Sequence, residues 1–315
     1  MTFEFSPNTL DNISAGGIAV FAFEDKEQPV LTNALMELDK VLNGIIEDDI
    51  KVEVFKGKIG SAFAIHTHRK ILSPKIFVVG LGKRSEFNAG QLRKAMTIFS
   101  KGQKGKISSI ALVLLDAKEA DFDTTIQSQM IAEGLLLGSY SFVKYKEKEE
   151  KEFEMVIFSE NNKNTQVKTR EGIKKAEIFY EATKVARDLV NEPSAVVNPT
   201  FLADLATDIA KKNREIKCTV YEKDEIRKMG MGAFLGIAQA ADTPPKFIFL
   251  EYSPRGLVNK QKLAIVGKGI TFDAGGISLK PESSMATMKC DMAGAAAVLG
   301  VFSVISQIKP KMSVM

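Results

Sequence analysis

The chain has 315 residues, 45% of them hydrophobic, and its 43 lysines and arginines against 39 aspartates and glutamates give a formal net charge of +4. This is enough apolar material for two ordinary domains with cores of their own, and it describes a soluble globular protein. Two cysteines, Cys218 and Cys290, provide neither a disulfide framework nor a Cys-x-x-Cys metal pattern, and with only two histidines, serine–histidine or cysteine–histidine catalysis is a poor expectation.

From the amino terminus, Met-Thr-Phe-Glu-Phe-Ser-Pro lacks a basic segment followed by an apolar core, so no secretory signal is read there. Strand-like runs at 17–23, 51–55, 76–80, 109–115 and 154–158 alternate with helix-like stretches at 88–101 and 122–139. That alternation predicts an α/β layer with a mostly parallel sheet. His66 and His68 lie two apart, which on a strand puts both on one face, but no further ligand stands nearby in sequence. Gly80-Leu-Gly-Lys-Arg-Ser is read as a tight strand-to-helix turn, since a dinucleotide loop would need a third glycine and an acidic partner. The charge-dense run 144–152 is expected at the surface, and the first domain is expected to close at residue 163.

A long helix is predicted from about Val167, with Ile178, Ala182, Val185, Ala186 and Leu189 at helical spacing, ended by Pro193 and bridging to a second domain over 164–315. There, a helix at 199–212 and strands at 218–221, 247–252 and 263–267 follow. The longest apolar run, 292–305, is read as a buried helix too short to cross a bilayer. With neither signal nor span, the expected location is cytoplasmic. The lysine surplus is spread along the chain and is read as a solvated surface, with DNA contact as the alternative.

Residues 266–280, Val-Gly-Lys-Gly-Ile-Thr-Phe-Asp-Ala-Gly-Gly-Ile-Ser-Leu-Lys, and 288–294, Met-Lys-Cys-Asp-Met-Ala-Gly, place charge inside apolar, glycine-rich sequence. An unpaired charge buried there would be costly, and a divalent ion could compensate it through carboxylate oxygens and a neutral lysine amine. Alternatives stand beside that reading. Lys268 could form a structural ion pair, although Gly269 after it does not fit a phosphate-gripping loop. Asp273 before glycines could be a turn residue, Asp291 a helix N-cap, Lys280 a surface cation and Met288 a core residue. The small residues 293–297 would let their helix approach the charged loop closely.

This stretch resembles the leucyl aminopeptidase family, the two-metal cytosolic aminopeptidases, and residues 187–200, Arg-Asp-Leu-Val-Asn-Glu-Pro-Ser-Ala-Val-Val-Asn-Pro-Thr, are similar to the segment that opens its catalytic domain. The resemblance implies a metallopeptidase domain over 164–315, Lys268, Asp273 and Asp291 as metal ligands, Lys280 as the catalytic lysine and Met288 in the pocket for the substrate's first side chain. It implies two divalent ions, manganese or zinc, peptide substrates with leucine-like amino-terminal residues, and a hexamer. The family's Asn-Thr-Asp-Ala-Glu-Gly-Arg segment is missing from these 315 residues, so the catalytic domain is expected to be incomplete, holding at most one ion weakly. Two other classes stay open, a non-catalytic DNA-binding or scaffold protein and a nucleotide or ADP-ribose module in the first domain.

Overall fold

A computed structural model describes residues 1–147, 153–256 and 261–315, so most of the charge-dense run expected at 144–152 lies outside the described residues. The chain divides into two compact units, Met1–Tyr180 and Glu181–Met315.

The first unit contains β1 (Thr2–Ser6), β2 (Ile18–Glu24), β3 (Val30–Leu31), α1 (Asn33–Val41), α2 (Ile45–Val52), β4 (Ala62–His66), β5 (Lys75–Lys83), α3 (Ala89–Gln103), β6 (Ser109–Leu112), α4 (Thr124–Ser139), β7 (Met155–Ser159) and the start of α5 (Lys163–Asn191). Its sheet runs in the order β1-β7-β6-β2-β5-β4, with β3 against β2. The pairs β1/β7, β7/β6, β6/β2 and β2/β5 are parallel, and only β4 and the two-residue β3 run antiparallel. The central strand shows why this sheet is covered on both faces. In Ile-Ala-Val-Phe-Ala-Phe-Glu, Ala19, Phe21 and Phe23 join one apolar cluster with α3, α4 and α5, whereas Ile18, Val20 and Ala22 join another with α1 and α2. Alternating side chains therefore fill two cores, which accounts for a strand that reads as a continuous apolar run.

Residues 51–55 are not a strand. Their Lys-Val-Glu-Val-Phe alternation is overridden by a helical pattern beginning earlier, with Ile46 and Ile50 buried one turn apart. The buried Asp39 fixes the start of α2, its Oδ1 accepting from the main-chain N–H of Ile46 at 2.8 Å and of Glu47 at 3.3 Å. Asp39→Ala should remove that cap and leave two donors short of a partner, lowering stability by about 1–3 kcal/mol. Urea unfolding reads the loss, and an unchanged midpoint would show that water replaces the carboxylate at no cost.

The turn expected at Gly80 to Ser85 is also replaced, since β5 runs straight through to Lys83. Its glycines serve close approach instead. A Cβ at Gly80 would sit 2.1 Å from the Lys58 carbonyl oxygen, and Gly82 has φ +78. The His66/His68 geometry differs as well, because β4 ends at His66 and His68 has φ 48, leaving the rings 6.4 Å apart off a common strand. At the strand ends of this unit Glu119 accepts from the N–H of Asn33, the first residue of α1, at 2.6 Å. The amino terminus of that helix thus faces a carboxylate from its own chain.

The second unit takes the end of α5, then α6 (Pro199–Lys211), β8 (Ile216–Tyr221), α7 (Lys223–Lys228), α8 (Gly232–Ile237), β9 (Phe247–Tyr252), β10 (Lys262–Leu263), α9 (Glu282–Met285), α10 (Ala293–Ile308) and β11 (Ser313–Val314). Its sheet, β10-β11-β9-β8, is mixed, with β10/β11 parallel and the other two pairs antiparallel. Asn198 caps α6 by accepting from Phe201 N–H, with Pro199 in the first turn. The core gathers Leu202 and Ala206 of α6, Leu250 and Tyr252 of β9, and Ala296, Leu299, Phe302 and Ile305 of α10.

By length and composition, the stretch Glu282–Ile308 could cross a membrane, beyond what residues 292–305 alone predict. In the fold it is interrupted by a 3-10 turn at Met288–Cys290, and α10 itself, 16 residues long, sends its apolar stripe into the core.

Candidate metal centre

The charged loop expected to follow a buried strand at 263–267 instead leaves a short edge. Only Lys262 and Leu263 are in ladder conformation, with Ile265 N–H still donating to Met315 O at 2.7 Å. Leu263 and Val266 are exposed, the latter at 95%. No strand covers β10 on its outer side among the described residues, so the apolar run is legible but its burial is not.

Beyond it the loop meets the start of α10 closely. Ala295 N–H donates to the Lys268 carbonyl at 2.9 Å, and a Cβ on Gly267 would lie 2.4 Å from Gly294 O. The small residues at 293–297 permit this approach, and it carries Lys268 to Asp291. The Lys268 ammonium lies 2.7 Å from both Asp291 oxygens. Only Oδ1 receives a hydrogen bond of acceptable angle; Oδ2 is buried and accepts none, so its contact with the ammonium is electrostatic. Asp291 does not cap α10, because the N-cap position is Met292 and no side chain caps there.

A second pair stands beside the first. Lys280 Nζ is 3.0 Å from Asp273 Oδ2, while Asp273 Oδ1 accepts from Gly275 N–H at 2.9 Å, which is the turn role open to this aspartate. The next glycines, Gly275 and Gly276, have φ 92 and 79, and Lys280 N–H closes the loop onto Ala274 O at 3.0 Å. Lys280 Nζ also lies 3.1 Å from Met288 Sδ, so the methionine flanks the lysine rather than filling the core. The structure thus brings Lys268 to Asp291, and Lys280 to both Asp273 and Met288.

The electrostatics follow from the pairing. Asp291, by its hydrogen bond, holds the Lys268 ammonium above the ordinary lysine range, with Asp273 adding a smaller push in the same direction. Lys280, then the Gly275 N–H, hold the Asp273 carboxyl below the ordinary carboxylate range. Lys268 is 59% exposed and Asp291 19%, so these charges are less buried than their apolar sequence context implies.

Two carboxylates and an amine form a donor set suited to a hard or borderline divalent ion, and the buried Asp291 Oδ2, in contact with the Lys268 ammonium but accepting no hydrogen bond, is an atom such an ion would satisfy. The set is partial. Among the described residues no three His, Cys, Asp or Glu side chains converge as a metal-binding group.

The chain is similar to known proteins along its whole length. Residues 184–315 match the catalytic-domain model of the cytosol aminopeptidase family, and residues 19–149 match that family's N-terminal-domain model. A probable cytosol aminopeptidase of a Sulfurihydrogenibium species is 37% identical over 318 residues, covering 100% of this chain and 61% of the relative; one from Aquifex aeolicus is 37% identical, covering 94% and 57%. The chain therefore spans about three-fifths of the length of these relatives.

Among solved structures, a lysine-to-glutamate mutant of tomato leucine aminopeptidase superposes with a TM-score of 0.80 at 26% identity, over 100% of this chain and 61% of that one. The bottromycin maturation enzyme BotP, in complex with Mn, superposes at 0.73 with 24% identity over 96% and 58%, a likeness of fold. With both domain models matched in order along one chain, this protein belongs to the cytosol aminopeptidase family.

Proposed function

We propose that the protein carrying this chain is a metal-dependent aminopeptidase that releases leucine and similar apolar residues from the amino termini of peptides. The observation that carries the reading is the meeting of Lys268 with Asp291 and of Lys280 with Asp273 and Met288, with one buried Asp291 oxygen that accepts no hydrogen bond. Lys268, Asp273 and Asp291 would hold a divalent ion, manganese or zinc, two such ions being the complement of the complete centre. When bound, such an ion supplies Lewis acidity and lowers the pKa of a water molecule.

The chain's own residues do the rest. Asp273 orients the Lys280 ammonium, which would favour negative charge as it develops on a scissile carbonyl oxygen. Met288, against the same ammonium, gives one apolar wall for a side chain next to that carbonyl. A cytoplasmic location and a hexameric assembly belong to the same proposal and rest on family membership.

Because this donor set is partial, the chain itself should bind manganese weakly, at one site, and hydrolyse leucine p-nitroanilide at near-background rates with manganese added. Paramagnetic titration and a chromogenic assay read the two quantities. Strong turnover would overturn the incomplete-centre reading, and failure to bind manganese at millimolar concentrations would overturn the metal reading.

A further inference from the structure

The turn that carries Met288 and Asp291 has little to hold it from within. Met288–Cys290 is a single 3-10 turn whose cap positions make no side-chain hydrogen bond. Its main-chain bonds are Cys290 N–H to Thr287 O at 3.0 Å and Asp291 N–H to Met288 O at 3.3 Å, the second at the long end of the useful range. Such turns have poor hydrogen-bond geometry and hold their shape weakly on their own.

Beside the lysine contacts to Met288 and Asp291, a tie from Lys289 joins this turn to α5. Lys289 Nζ donates to the main-chain carbonyl of Asn191 at 2.5 Å, in a partly buried contact spanning 98 positions of sequence. Asn191 is the last residue of α5, a helix of 29 residues, so its carbonyl stands at the negative end of the helix dipole. A cation is favoured at that end by the helix dipole, and a charge-assisted bond is stronger than a neutral one. On one side of Lys289 stands Met288, against Lys280; two positions beyond stands Asp291, against Lys268.

We propose that Lys289 is a positioning residue of the candidate metal centre. By clamping the turn to the carboxyl end of α5, it fixes where Met288 and the Asp291 carboxylate stand relative to the two lysines. The clamp needs only the contacts above; its consequence for the centre rests on the metal reading.

The two cysteines supply the test, since Cys290 lies in the turn and Cys218 in β8, both of intermediate exposure. Lys289→Met should raise the rate at which an aromatic disulfide labels Cys290 by about tenfold, as expected when a local opening loses one charge-assisted hydrogen bond. Labelling of Cys218 should stay at the parental rate, and Lys289→Arg, which keeps a cationic donor, should restore Cys290 toward it. An unchanged Cys290 rate overturns the clamp. A parallel rise at Cys218, or loss of folding, also overturns it, because Lys289 would then serve the whole unit.

Manganese titration separates the clamp from its consequence for the metal centre. Lys289→Met should weaken binding several-fold and Asp291→Asn should remove it. If Asp291→Asn leaves binding intact, the metal reading fails while the thiol result still decides the clamp. If Lys289→Met loosens Cys290 without altering manganese affinity, the positioning role is overturned.

Discussion

Asp291→Asn should reduce manganese affinity by at least about a hundredfold, the upper end of what losing even an outer-shell partner costs a metal site. The substitution keeps shape and removes charge. Asp291 contributes a buried oxygen that no hydrogen bond satisfies, and the amide could aim either its oxygen or its nitrogen there. Acid should act in the same direction. Lys268 can ligate only as a neutral amine, yet Asp291 holds it above its ordinary pKa, so each ion bound must displace a proton.

Affinity should therefore fall about tenfold for each pH unit of acidification while one proton is displaced. Asp273, held below its ordinary range, stays ionised through that window and adds nothing to the slope. For folding the sign is opposite. A raised lysine pKa means that the ion pair's contribution is fully present below the unfolded-state pKa and is lost as pH rises through the folded one. Lys268→Met should flatten the manganese profile, and a slope unaltered by that substitution would remove Lys268 from the ligand set.

The parts of the fold legible in the sequence are those where pattern and environment agree. β9 spans residues 247–252 as the run Phe-Ile-Phe-Leu-Glu-Tyr predicts, and α6 begins at Pro199 behind its Asn198 cap. β1 is not among the strands expected from sequence, because the five-residue alternation Thr-Phe-Glu-Phe-Ser at a chain end is weak evidence until β7 pairs with it. Residues 51–55 fail for a different reason. Their local alternation competes with a buried cap, Asp39, that lies outside any short window.

In the candidate site, residue types and spacing were readable because Lys268, Asp273, Lys280 and Asp291 are each anomalous in apolar, glycine-rich surroundings. The pairing was not. Nothing in sequence says that Lys268 takes Asp291 while Lys280 takes Asp273, a choice set by how the loop lies on α10. Lys289 is not legible in the sequence because its partner is a main-chain carbonyl, which leaves no trace in residue type.

That loop-on-helix contact makes Gly267 the position where one added side chain should cost most at the site. Its Cβ would meet Gly294 O at 2.4 Å, Gly294 C at 2.5 Å and Ala295 N at 2.7 Å, all main-chain atoms of the first turn of α10. No rotamer change can relieve such contacts, so the loop must lift. Lifting breaks the bond from Ala295 N–H to Lys268 O and draws Lys268 from Asp291. Gly267→Val should therefore destabilise the second unit by about 2–4 kcal/mol, combining overpacking with a lost hydrogen bond. It should also weaken manganese binding without altering any candidate ligand. Chemical unfolding followed by a probe in β8 or β9 reads the first effect, and titration under folding conditions reads the second. Full stability together with parental manganese affinity would mean that the close passage of loop over helix does not set the geometry of the centre.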